Sequence, residues 1–197
     1  MKYNTLFYKS NWQKSICKSY IKNKFKNKIF YYQNSNEKDL HTITKISEES
    51  FSKWNNYNLK ERKKVIKLIT SVLIKNKKKL AKYLSLDTGK EVNECQKEIV
   101  YCHSLWAEAL KVKNKFFINR KKISKNTKIT EIKDGIGVVG LFIPFNNYLI
   151  VLSERLPYLL LSGSVSIIKP NELGIQALLK FLDLLRSKLV KYPSIIN

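Results

Sequence analysis

The sequence predicts an α/β fold: a helical amino-terminal region followed by the first half of a doubly wound parallel sheet, incomplete at the last residue. Three observations predict it. Apolar residues recur with the 3.6-residue period over 59–84 and again over 92–109. Beyond residue 135 the pattern changes to short, continuous apolar runs with no polar face. Such runs suit strands covered on both sides of a parallel sheet, and helical segments separate them.

At the start, Trp12, Ile16, Tyr20, Ile21, Phe25 and Ile29 lie at helical spacing with lysines between them. They predict a basic amphipathic helix, packed on the rest of the chain or lying on a membrane surface. The polar residues 33–39 read as a linker. Ile46, Phe51 and Trp54 then form a short stripe. Asn58 with Glu61 has the form of a capping box opening a helix. Val65, Ile66, Ile69, Val72 and Leu73 continue the period into Leu80, Tyr83 and Leu84, and Gly89 is a natural stop. A further helix over 91–112 carries Val92, Cys95, Ile99, Cys102, Trp106 and Ala109 on one face. Residues 127–132 alternate as an exposed strand does, and the turn pair Asp134-Gly135 follows. Next come a strand over 137–143, a helix over 148–161 stopped by Gly163, a strand over 165–168, a helix over 174–188 and the start of a third strand at 193–196. In sheets of this order ligands sit at the carboxyl ends of the strands, here residues 144–146 and 169–172.

The 197 residues are 44% apolar, enough for a core, and carry a formal net charge of +23 from 38 basic and 15 acidic residues. That excess points towards nucleic acid or an anionic membrane. Its make-up points the other way. Arg62, Arg120, Arg155 and Arg186 are the only arginines, and the lysines are spread among Asn, Ile and Tyr, all favoured by A/T-rich codons. Arginine is the residue suited to bidentate phosphate or guanine recognition. The first 36 residues hold eight lysines and no acid. A transit peptide is usually rich in arginine, so a cytoplasmic location is expected, with an organelle as the alternative.

Cys17, Cys95 and Cys102 form no disulfide framework. Cys95 and Cys102 share the apolar face of one predicted helix, which makes them packing residues. His103 lies off that face and no second ligand has metal-site spacing, so no metal is expected.

The two loops at the strand ends carry a resemblance. Gly137-Val-Val-Gly-Leu-Phe-Ile-Pro-Phe-Asn146 resembles the strand of the aldehyde dehydrogenase superfamily that ends in Pro-Trp-Asn. Gly163-Ser-Val-Ser-Ile-Ile-Lys-Pro-Asn-Glu172 resembles that family's Gly-Asn-Thr-Val-Val-Leu-Lys-Pro-Ser-Glu segment. Upstream, Phe51-Ser-Lys-Trp54, Leu59-Lys-Glu-Arg62 and Leu86-Asp-Thr-Gly-Lys90 are similar to its helical landmarks. On this basis residues 1–43 read as an extension. Residues 44–197 read as part of an NAD-binding, Rossmann-like domain, helical over 44–115 and βαβαβ over 127–197.

The resemblance implies an oxidoreductase oxidising aldehydes with NAD or NADP. It implies that Asn146 donates its side-chain N–H to the oxyanion formed when a cysteine thiolate attacks the aldehyde. Ile143, Pro144, Phe145, Lys169 and Glu172 then border the cofactor, with Lys169 and Glu172 bonding the adenosine ribose. A carboxylate beside the ribose 2′ position accepts from a hydroxyl and repels a phosphate, which favours NAD. Arg155 is a candidate active-site cation. Two plainer readings stay open: Asn146 capping the next helix, and Lys169 with Glu172 as a solvated ion pair.

Phe145 stands where the family has Trp, and Tyr148 where it has Pro. The family's nucleophilic Cys and general-base Glu lie in segments with no counterpart here. The expectation is therefore a truncated fragment, inactive alone. The rival reading is a non-enzymatic basic protein that binds RNA or an anionic membrane, or a partner of an intact homologous subunit.

Overall fold

The computed structural model describes residues 2–3, 5–15, 20–25, 28–124 and 127–197, with side chains for 5–15, 31–124 and 127–197. The chain opens with β1 (Lys2–Tyr3), β2 (Leu6–Tyr8), β3 (Asn11–Gln13), β4 (Tyr20–Phe25) and β5 (Lys28–Gln33). β2 pairs antiparallel with β3, β4 pairs antiparallel with β5, and β1 lies parallel to β5.

The helix expected over 12–29 is therefore corrected: its described residues form strands β3, β4 and the start of β5, with Lys14 and Ser15 outside them. Tyr, Phe, Trp and Ile favour the pleated surface. In register, Ile21 faces Tyr32 and Asn23 faces Phe30, so the apolar spacing that mimicked a helix serves two-residue alternation across a hairpin. Cys17 lies outside the described residues. The segment is tied to the remainder. Phe7 is buried in the main core, with Trp12 edge-on to it at 4.9 Å. Ser10 Oγ donates to Leu189 O at 3.0 Å, and Ser194 Oγ accepts from Lys9 N at 2.6 Å.

Four helices follow: α1 (Glu37–Trp54), α2 (Leu59–Lys75), α3 (Lys77–Thr88) and α4 (Val92–Ala109). Part of the expected linker at 33–39 belongs to α1. Asn36 caps that helix and Asp39 reciprocates, a full capping box that polar composition hid. Residue 43 also falls inside α1, so that helix spans the expected division of the chain. Asn58 caps α2 through Glu61 N, as its spacing predicts. Asn76 breaks the continuous helix expected from 59 to 88, and Gly89 closes α3 in the left-handed conformation.

After the short α5 (Asn114–Phe117), β6 (Ile118–Lys122) and β7 (Lys128–Ile132) form an exposed antiparallel hairpin. Then come β8 (Val138–Ile143), α6 (Tyr148–Ser162), β9 (Val165–Pro170) and α7 (Gln176–Arg186). β8 and β9 are parallel, with Val138 opposite Val165 and Ile143 opposite Pro170. The third strand has begun. Ser166 N donates to Ile195 O, Asn197 N to Ser166 O, and Ile168 N to Asn197 O, at 2.7–3.1 Å. This is the predicted α/β order.

One detail differs. β8 was expected to be covered on both sides, but it buries Leu141 and Ile143 while Phe142 is 82% exposed. Val138 and Val139 pack on the core from the two faces, so the cover on the second face is lost only towards the strand end.

The helical region holds the sheet by gripping the carbonyl end of α6. Trp54 Nε1 donates to Leu160 O at 3.0 Å, and Arg62 Nη1 donates to Leu161 O at 2.9 Å. Arg62 Nη2 also donates to Asn55 O at 2.7 Å. The last carbonyls of a helix lack partners inside it, so these buried donors complete α6. The landmarks Phe51–Trp54 and Leu59–Arg62 thus place the sheet on the helices.

Candidate functional site

Because β8 and β9 are parallel and in register at Ile143 and Pro170, their following loops emerge at the same end. Ile143 is buried, anchoring the strand end. Pro144 is exposed and Phe145 half-buried. The Phe145 ring lies against Gly174. A Cβ at that glycine would sit 3.0 Å from Phe145 Cε2 and 3.1 Å from Asp87 Cβ. The two loops and the end of α3 therefore meet at one point with no room for a side chain on residue 174.

Asn146 is exposed, and among the described residues its amide makes no hydrogen bond. It does not cap α6. That position belongs to Asn147, which takes a left-handed conformation (φ 52) and has no side-chain cap bond. Instead, Asn147 Oδ1 accepts from Lys90 Nζ at 2.9 Å, and the same ammonium donates to Glu98 Oε2 at 2.7 Å. The hydrogen bond to buried Glu98 holds the Lys90 pKa above its ordinary value. Lys90 thus staples the loop beside Asn146 to α4 and leaves the Asn146 amide free to donate.

On the second loop, Lys169 Nζ lies 3.7 Å from Glu172 Oε2 and donates to Pro170 O at 3.2 Å. Both side chains are about half exposed or more. The solvated pair of the plainer reading is present, and exposed pairs of this kind contribute about 1 kcal/mol or less, so a ligand can replace it. Asn171 Oδ1 accepts from Leu173 N at 3.0 Å, a side-chain-closed turn that shapes the loop. Arg155 is exposed on α6.

Asp87, read in the sequence only as part of a helical landmark, and Tyr148, read only as a departure from the family's Pro, organise the site. Asp87 is 1% exposed. Its Oδ1 accepts from Gln176 N at 3.1 Å, and its Oδ2 from Ala177 N at 2.9 Å and from Tyr148 OH at 2.6 Å. A side chain from the end of α3 therefore caps α7 from 89 residues away. Burial pushes the Asp87 carboxyl up, opposed by those hydrogen bonds, and burial raises Tyr148 well above its ordinary value. The signal available in the sequence was an Asp inside a glycine-terminated helix end, with Tyr in a family Pro position. Neither reveals its partner.

The two described thiols are packing residues. Cys95 and Cys102 are buried in the core, and burial pushes Cys102 up to about 12 and raises Cys95 as well. A nucleophile must be a thiolate. In the folded chain both cysteines should resist a soluble thiol reagent and react after unfolding, read as mass additions on their peptides. Rapid native labelling of either would contradict this. Among the described residues, no three His, Cys, Asp or Glu residues are grouped to hold a metal, and no helix is long and apolar enough to cross a membrane.

A family model for the aldehyde dehydrogenase family matches residues 13–192. The chain belongs to the aldehyde dehydrogenase family. The match starts upstream of the first motif, within the strands that the helix reading misjudged. Among its relatives, the mitochondrial succinate-semialdehyde dehydrogenase of Arabidopsis thaliana is 28% identical over 139 residues, covering 69% of this chain and 26% of that protein. Aminoaldehyde dehydrogenase 2 of Solanum lycopersicum is 27% identical over 154 residues, covering 74% and 30%. The chain therefore spans about a quarter to a third of the length of these relatives. Among solved structures, an NAD-dependent aldehyde dehydrogenase from Sinorhizobium meliloti superposes with a TM-score of 0.89 at 20% identity, over all of this chain and 40% of that one. A betaine aldehyde dehydrogenase from Staphylococcus aureus in complex with NAD+ gives 0.85 at 20% identity, over 95% and 39%. At these identities the superpositions establish the aldehyde dehydrogenase fold.

Proposed function

We propose that this chain supplies the oxyanion donor and the adenosine-ribose contacts of an NAD-dependent aldehyde dehydrogenase, and that the nucleophile and general base come from outside these 197 residues. The observation that carries the reading is the shared strand end: Ile143 and Pro170 are register partners, so Asn146 and the Lys169–Glu172 pair open on one side. NAD, when bound, accepts the hydride. This chain's own part is to donate the Asn146 N–H to the oxygen that becomes negative when a thiolate adds to the aldehyde carbon. Lys169 and Glu172 hold the ribose hydroxyls by charge-assisted hydrogen bonds.

The α7 amino terminus, which would ordinarily attract a phosphate, is closed. Its first amides are taken by the Asp87 carboxylate, which also repels a second anion. The dinucleotide phosphates must then be held by other groups, and this chain grips the adenosine end. The burial of Cys95 and Cys102 argues against either of them as that nucleophile.

Calorimetry tests the reading. NAD and adenosine should bind with similar, weak affinity, and NADP more weakly because Glu172 repels the 2′-phosphate. Lys169→Ala should weaken NAD binding about tenfold, the size of one charge-assisted hydrogen bond. Aldehyde should yield no NADH with the purified chain. NADH formation that disappears in Asn146→Ala would place the nucleophile within these residues and overturn that half of the proposal.

A further inference from the structure

A second surface lies at the opposite end of α6 from the Asn146 loop. That helix has 15 residues, about 22 Å in length, and Arg62 grips its far end. There, two adjoining open depressions of about 550 and 490 Å3 share Val112 and Lys113. α2 contributes Lys60, Lys63, Lys64 and Lys67 to one wall. These sit at i, i+3, i+4 and i+7, one continuous stripe of the helix. The segment after α4 contributes Lys111, Lys113 and Lys115 to the lining, and the hairpin Lys133.

Composition alone scatters lysines; here they converge and outnumber the nearby acids. Glu131 is the one acidic lining residue. Glu61 and Glu108 lie beside the groove, ion-paired with Lys64 and Lys111 at 2.5 Å. A like-charge stripe at this spacing destabilises its own helix, so an anion laid along it is stabilising. The groove also carries an aromatic surface. Phe116 is 58% exposed, packs edge-on to Phe117 at 5.2 Å, and has Lys133 Nζ 4.7 Å from its ring centre.

We propose that this groove binds single-stranded nucleic acid without sequence preference. Lysines tracking a backbone, with an exposed aromatic ring for a base to stack on, are what such binding requires. The lining lacks arginine, so it has no planar fork for bidentate base recognition. A bilayer is less well matched, because the charges line a concave surface that a flat headgroup layer does not enter. The site is independent of the proposed cofactor loops, so either can fail without the other.

Fluorescence anisotropy with a labelled 12-nucleotide oligouridine tests it. With Lys64 held by Glu61, Lys60, Lys63 and Lys67 neutralising three phosphates should make log affinity fall with log salt at a slope of about −2. Lys60→Glu, Lys63→Glu and Lys67→Glu together should weaken binding at least tenfold. A charge-matched control, Lys45→Glu, Lys53→Glu and Lys82→Glu, should bind as the parent does. Phe116→Ala, at an exposed position, should weaken binding about fivefold or more with the salt slope unchanged. Three results overturn the proposal: equal weakening by the control, which means diffuse attraction; unchanged binding in Phe116→Ala; or tighter binding to phosphatidylserine vesicles than to the oligonucleotide. If the groove triple variant does not melt cooperatively, Phe116→Ala and the control decide.

Discussion

Asp87→Ala should destabilise the chain by about 4 kcal/mol or more, because it strands three buried donors at once. Gln176 N, Ala177 N and Tyr148 OH all give their hydrogen bonds to this one carboxylate, and water has no access to replace it. Each unmet donor costs roughly 1–3 kcal/mol. Denaturant melting measures the loss. A change below about 1 kcal/mol would mean that the α7 amides find other partners.

The same residue gives a pH dependence whose sign is fixed by burial. Its folded pKa lies above the usual carboxyl value. A group raised in this way favours the folded state when protonated. Relative to Asp87→Asn, which does not titrate, the parent should gain stability as pH falls from neutral through the folded value. The gain is complete below the unfolded value of about 3.9. An opposite slope would mean that the hydrogen bonds outweigh burial.

Gly163→Ala should cost a similar amount, about 4 kcal/mol, through two separate effects. Its φ is +98, a conformation that strains any side chain by about 1–3 kcal/mol. Its Cβ would lie 2.3 Å from Asn55 Oδ1 and 2.6 Å from Arg62 Nη2. Relief requires Arg62 to leave Leu161 O and Asn55 O, so the α6 carbonyl end loses a donor that Trp54 cannot replace. For a chain of this size the melting temperature should fall by about 8–16 °C. Gly137→Ala provides the contrast. It shares a positive φ of 111 but has open space around it, so only the strain applies. Equal losses at the two sites would show that the Arg62 contact contributes little.

Much of this was legible in the sequence because it rests on local rules. The stripe Cys95, Ile99, Cys102, Trp106 and Ala109 is buried as its period requires, and Gly89 and Gly163 end helices where their conformational freedom is needed. The strand-end loops were legible because parallel strands bring their carboxyl ends together. The failures share a cause. β4 and β5 were read as a helix because isolated apolar spacing does not reveal a cross-strand partner. The box at Asn36 and Asp39 was lost within a polar run. Asp87 and Tyr148 act on each other across 61 residues, and Lys90 reaches Asn147 across 57; no periodicity encodes such pairs. The lysine groove was invisible because the sequence reports how much charge there is, not where the lysines converge.

The link between Asp87 and α7 also sets an order of events during synthesis. The carboxylate leaves the ribosome 90 residues before the Ala177 amide that it serves. At roughly 5–20 residues per second, that is a wait of about 5–20 s. Tyr148 arrives on the way, and until α7 follows it is the single partner the structure offers that carboxylate. During this interval the apolar face of α7, which packs on α3 in the folded chain, does not yet exist to cover it. The three-way join between α3, α6 and α7 at this carboxylate can therefore close only after Gln176 and Ala177 have been made.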